Sequence, residues 1–200
     1  MITKQDPNRT SALILVVYYS ITFTFTWVFL FPATASGSEQ ISIPFLIIAA
    51  FGPFLAAVAT QIMFKGKKSL TQWLRKVFNP RVPFLLYLAG ALLLPLVFGG
   101  LHFLLYRALG GTVDFSAASP WYTYPAYLIP TALLTGGNEE PGWRGFALPG
   151  LLQWFHPIIT ALILGLIHAA WHLPLLNHYQ TTFGIYAFNV IGLTFLLNWF

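Results

Sequence analysis

The sequence contains no cysteine. Disulfides, thiolate metal ligands and a cysteine nucleophile are therefore excluded. It is also poor in charge: Asp, Glu, Lys and Arg make up 8% of 200 residues, and only five of them are acidic. An average soluble domain carries roughly 25% charged residues, and a water-facing surface cannot be built from so few. What the chain has instead is apolar: 57% hydrophobic residues, of which the aromatics alone are 18% of the chain. These residues come in long runs rather than amphipathic stripes, and runs of about 20 match a bilayer core of about 30 Å. The expected fold is all-α: a polytopic integral membrane helical bundle with about six transmembrane helices, forming one domain over residues 1–200.

The formal net charge of +5 does not point to nucleic acid, because the cations are placed for topology. Lys65, Lys67, Lys68, Arg75, Lys76 and Arg81 fall in one short segment, 65–81. The positive-inside rule assigns such a segment to the cytoplasm, and an acidic lipid or partner is compatible with it. Leu70, Trp73, Leu74 and Val77 recur there at helical spacing, which predicts a short amphipathic helix on the membrane surface.

The first helix is expected over 11–32, ended by Pro32 and the polar stretch that follows. That run is too long for a signal-peptide core of about 7–15 residues. Further helices are expected over 41–64, 82–107, from about Trp121, over 157–176, and from about 182 onward. Lys4 and Arg9 then lie inside with the 65–81 segment, and Glu39 lies outside. Short loops and the lack of cysteine suggest a bacterial cell membrane. Asn198-Trp199-Phe200 ends inside an apolar run, so the expectation is a fragment, or an end seated at the bilayer interface.

The chemistry is expected in residues 138–176. Glu139 and Glu140 are the only acids after Asp114. A charge near the bilayer centre costs about 2.5–3.5 kcal/mol on insertion scales, so an intramembrane carboxylate calls for a function. The plainer reading is a helix start, with Asn138 as N-cap and Pro141 in the first turn. Arg144, four residues after Glu140, shares its face in a helix and can pair with it. Glu139 points about 100° away and has no partner within the segment. His168 and His172 are likewise four apart, and Pro174 loosens the helix around His172. Glu140 and His172 each lie 16 residues from His156. An antiparallel hairpin turning there puts both at one depth, with Arg144 level with His168. A free carboxylate beside an imidazole can hold and deprotonate a water.

At this point the residues resemble a known family. Glu139-Glu140-x-x-x-Arg144, followed by His172 in Trp171-His172-Leu173-Pro174, is similar to the CPBP family of CAAX-type proteases and bacteriocin-processing proteins, related to the Ras-converting endopeptidase. The resemblance implies a helical intramembrane endopeptidase with Glu139 as general base, Glu140 and Arg144 supporting it, and His172 as a further catalytic residue. It also implies a peptide or protein substrate at the membrane. The second family motif is an aromatic residue, three others, then His; here His168 stands where the aromatic is usual. The third motif, His-x-x-x-Asn or His-x-x-x-Asp, is absent from the sequence, and its place is expected beyond Phe200. Gly-x-Ser-Gly, Gly-x-Gly-Asp and His-Glu-x-x-His are absent too.

Two other readings remain open at this stage. One is a metal-dependent hydrolase in which His168 and His172, with Glu139 or Glu140, hold zinc; a di-iron desaturase would need more ligands. The other is a non-catalytic immunity or binding protein of the same fold. The primary expectation is no cofactor.

Overall fold

The computed structural model describes residues 7–34, 42–79, 83–112, 120–178 and 181–199. Lys4, Glu39, Arg81, Asp114 and Phe200, all named above, lie outside them. Among the described residues every regular element is helical and there is no strand. They fall into two compact units: the residues up to Val77 together with those from Tyr127 on, and those from Phe78 to Ala126.

In the first unit, α1 (Pro7–Thr34) begins on a proline, which loses nothing in a first turn. Pro32 lies inside this helix rather than at its end. So near the terminus, the missing N–H leaves only a short stretch to fray. α2 (Ile43–Ala50) stops at Phe51, and α3 (Gly52–Val77) starts directly after it. The cause of the break is Pro53, which has no N–H for the Ala49 carbonyl. Thr26 Oγ of α1 donates to that carbonyl at 3.0 Å instead.

α3 runs through the basic segment expected as a loop, bending at Gly66 (φ 78°, ψ 172°). Left-handed backbone of this kind suits glycine, which has no Cβ to clash. Ser69 Oγ donates to Gln61 Oε1 across the bend at 3.1 Å. The expected amphipathic helix follows, but its apolar face is turned onto the protein. Trp73 is buried, and Leu70, Leu74 and Val77 pack with it against a core of Tyr18, Ala56, Trp143 and Phe146. Trp73 Nε1 donates to the Gly145 carbonyl at 2.9 Å.

The motif segment is irregular. α5 (Tyr124–Pro130) runs into a π-helical stretch, Thr131–Thr135. After a turn come α6 (Glu140–Gly142), a π-helical turn Trp143–Ala147, and α7 (Leu148–Leu151). α8 (Pro157–Trp171) starts at His156, whose Nδ1 accepts from the Ile158 amide at 3.4 Å. A 3-10 turn, Leu173–Leu175, leads on to α9 (Phe183–Trp199), which packs along α8. A Cβ on Gly142 would collide with the backbone of Pro53. Only glycine therefore lets the motif segment rest directly on α3.

In the second unit, α4 (Phe84–Ala108) exposes Leu85, Leu96, Leu101 and Leu104. Thr10–Thr34 and Ile43–Val77 are long and apolar enough to cross a membrane. Only 28% and 39% of their most apolar windows are buried by protein. The core helix of a soluble protein would be mostly covered, so lipid is the environment that these surfaces fit.

Candidate active site

Glu139, Glu140, Arg144, His168 and His172 converge within the first unit, as the hairpin argument expected. Arg144 Nη1 donates to Glu140 Oε1 at 3.1 Å, the predicted four-residue pair. Glu139 starts the short helix as its N-cap residue with no side-chain cap bond, and Pro141 sits in the first turn. The carboxylate is instead directed across the fold. His168 Nε2 lies 3.3 Å from Glu139 Oε2, and both side chains are buried. Spacing alone set Arg144 level with His168 and Glu140 level with His172; the direct contact of Glu139 with His168 was not among those pairings.

The network assigns the ring protons. His168 Nδ1 faces Arg144 Nη1 at 3.5 Å. A guanidinium can only donate, so Nδ1 accepts, Nε2 carries the proton, and Nε2–H donates to Glu139. Trp143 fixes the ring plane, stacked on His168 at 4.8 Å between centroids and 29° between planes. Arg144 Nη2 reaches Thr194 Oγ of α9 at 3.4 Å.

His172 is set differently. Pro174 cannot donate to the helix, and the chain tightens into three-residue turns. The His172 amide bonds Ala169 O at 3.1 Å and the Leu175 amide bonds His172 O at 2.8 Å. The carbonyls of His168 and Trp171 lose their usual partners and take side chains. His172 Nδ1 donates to His168 O at 3.1 Å, and Trp27 Nε1 donates to Trp171 O at 3.0 Å. With its proton on Nδ1, the His172 ring has Nε2 as acceptor.

Glu139 and His172 line one cavity of about 170 Å³. Its other walls are apolar, with Leu30, Leu46, Ala49, Ala50 and Leu175, closed by Thr135 and Trp171. A water occupies about 30 Å³ in the liquid, so the space takes water and an apolar side chain together.

Glu139, His168 and His172 each offer a ligand atom, all within 4.8 Å of one another. Zinc with N and O ligands at about 2.0–2.2 Å needs tetrahedral ligand atoms about 3.3–3.6 Å apart. The widest pair must close by about an ångström, beside the Arg144 cation. The donor set suits zinc in kind, but its spacing does not suit it as it stands.

The sequence reading missed Trp143, Thr194 and Trp27, and quoted Trp171 in the motif without a role. Trp143 sat inside the motif, and Thr194 is one polar residue in an apolar stretch; neither signal names a partner.

The described residues are helical, and they bring a carboxylate, a guanidinium and two imidazoles together at buried or partly buried positions, an arrangement that calls for a function inside apolar helices. Comparison makes this specific. Residues 120–200 match the family described as type II CAAX prenyl endopeptidase Rce1-like. A protein of Methanococcus maripaludis described as CAAX prenyl protease 2 is 25% identical over 180 residues, 82% of this chain. The chain spans 64% of that relative's length. No solved structure matches. Both findings agree with the resemblance read from the motifs, and the family match covers the part of the chain that carries them.

Proposed function

We propose that this protein is an intramembrane endopeptidase that cleaves CAAX-type or related peptides with a water activated by Glu139 and His172, without a metal. The observation that carries this reading is the shared cavity, in which Glu139 and the His172 ring stand together behind apolar walls. Glu139 takes a proton from the water while His172 Nε2 accepts a hydrogen bond from its other O–H. The oxygen adds to the scissile carbonyl carbon, giving a tetrahedral oxyanion. Collapse breaks the C–N bond as the proton on Glu139 passes to the leaving nitrogen. The products are a carboxylic acid and an amine, and the base is regenerated.

His168 is a positioning residue in this reading. Its Nε2–H holds one oxygen of Glu139, and the other is left for the water. Glu140 and Arg144 act together: the carboxylate fixes the guanidinium that fixes His168. Trp171, whose indole N–H has no hydrogen-bond partner among the described residues and which lines the cavity, is the proposed oxyanion donor. The substrate is a peptide or protein tail presented at the bilayer, with no role for nucleic acid. The proposed topology has six membrane-spanning segments in a bacterial cell membrane, with the N-terminus and the 65–81 segment cytoplasmic.

The test is cleavage of a prenylated CAAX peptide by purified protein in liposomes. Wild type is expected to cleave, Glu139→Gln and His172→Ala to be inactive while folded, and a chelator to change nothing. Wild-type rates from folded Glu139→Gln protein would sink the proposal.

A further inference from the structure

A second cavity, of about 280 Å³, lies between the N-terminal turns of α1, the bend of α3 and the residues that follow Arg144. Its polar lining is Lys65, Lys76, Ser11, Gln61 and Gln153, with Trp73 among the apolar residues. Among the described residues no acidic side chain lines it. Lys65 and Lys76 would stand about 16 Å apart along a straight helix. They share one cavity because the chain bends at Gly66 between them, the bend held by the Ser69–Gln61 bond.

From this arrangement we infer that the cavity binds the phosphate headgroup of an anionic phospholipid. Two lysines without an acidic partner among the described residues, with amide and hydroxyl groups between them, form a phosphate-binding set. The lipid source follows from the surroundings. Leu13 and Val16 on α1 and Ile62 and Met63 on α3, close in sequence to the lining residues, are exposed, with 46–63% of their surface free. Acyl chains can lie along those residues while the headgroup sits between the lysines. Basic pockets between membrane helices on the cytoplasmic side take anionic headgroups in this way. The cavity also includes Gly145 and Phe146, next to Arg144, so a bound headgroup rests against the backbone that carries the guanidinium.

The experiment needs no proteolysis. Purified chain is reconstituted in phosphatidylcholine nanodiscs with and without phosphatidylglycerol, and the lipid retained after release is counted by native mass spectrometry. Wild type is expected to retain phosphatidylglycerol over phosphatidylcholine. Lys65→Gln with Lys76→Gln should lower that retention about tenfold or more beyond any general surface effect, since each lysine loses a charge-assisted hydrogen bond to the phosphate, worth roughly tenfold. Lys67→Gln with Lys68→Gln makes the same charge change outside the cavity and measures the general surface effect alone, which should be smaller. Lys65→Arg with Lys76→Arg should retain most of the binding. Equal losses in the two glutamine pairs would reduce the effect to general surface attraction and overturn the site. Displacement of the lipid by inorganic phosphate at equal concentration would mean a soluble-phosphate site, and no selective retention by wild type would mean no site.

Discussion

The two cavities of the first unit carry opposite kinds of polarity. The larger is lined by Lys65 and Lys76, both exposed and set on one helix. The smaller is lined by Glu139 and His172, both held by one residue, His168, whose ring meets the carboxylate and whose carbonyl receives the second imidazole. Exposed lysines keep their water and need no partner to stay charged. A buried carboxylate needs a donor, and here that donor is an imidazole oriented by an arginine. The first arrangement is robust because its parts are independent. The second concentrates reactivity because its parts are not.

Glu139→Gln is the strongest way to break this contrast. It keeps the shape and removes the base, and should cost roughly 10²–10⁴ in kcat, as loss of a general base does. Circular dichroism and elution from a sizing column should be unchanged. His172→Ala is expected to fall in the same range, about 10² or more; an unaffected rate would leave the smaller cavity without its second group. Gly142→Ala tests the contact of the motif segment with Pro53 and should destabilise by about 1–3 kcal/mol, read as a lowered thermal midpoint. His168→Phe supplies the aromatic usual in the family and removes the hydrogen bond to Glu139. A loss of about 1.4 kcal/mol there corresponds to tenfold in rate, in kcat rather than KM if His168 positions the base. Trp73→Phe, on the side of the larger cavity, deletes one indole–carbonyl bond. It should cost about 0.5–1.5 kcal/mol of stability and leave kcat alone; a large kcat loss would mean that the two cavities are not independent.

The helices were legible where composition alone decides, as in α1 and α9. The Glu140–Arg144 pair was legible too, because four-residue spacing within one helix needs no tertiary information. The Glu139–His168 contact was not. Counting from His156 assumes a steady 1.5 Å rise, whereas Trp143–Ala147 is a π-helical turn and α7 ends well before His156. The count still sets Arg144 level with His168, as their 3.5 Å approach has it, but it cannot give the direction in which Glu139 leaves so irregular a segment. The stretch from Leu70 to Val77 was read correctly as amphipathic, with its partner misassigned. Periodicity shows that a face is apolar and not what covers it, and Gly145 gave no sign that it would receive Trp73.

The local character of the Glu140–Arg144 bond has a consequence for biogenesis. As the ribosome delivers this segment to the bilayer, both members of the pair arrive within five residues and can neutralise one another without help. Glu139 has no such neighbour: its donor, His168, is synthesised 29 residues later. Until then the lone carboxylate must enter protonated or wait at the water interface, because a bare charge at the bilayer centre costs about 2.5–3.5 kcal/mol. The emergence of α8 therefore sets the earliest moment at which Glu139 can meet its partner and the motif segment can settle.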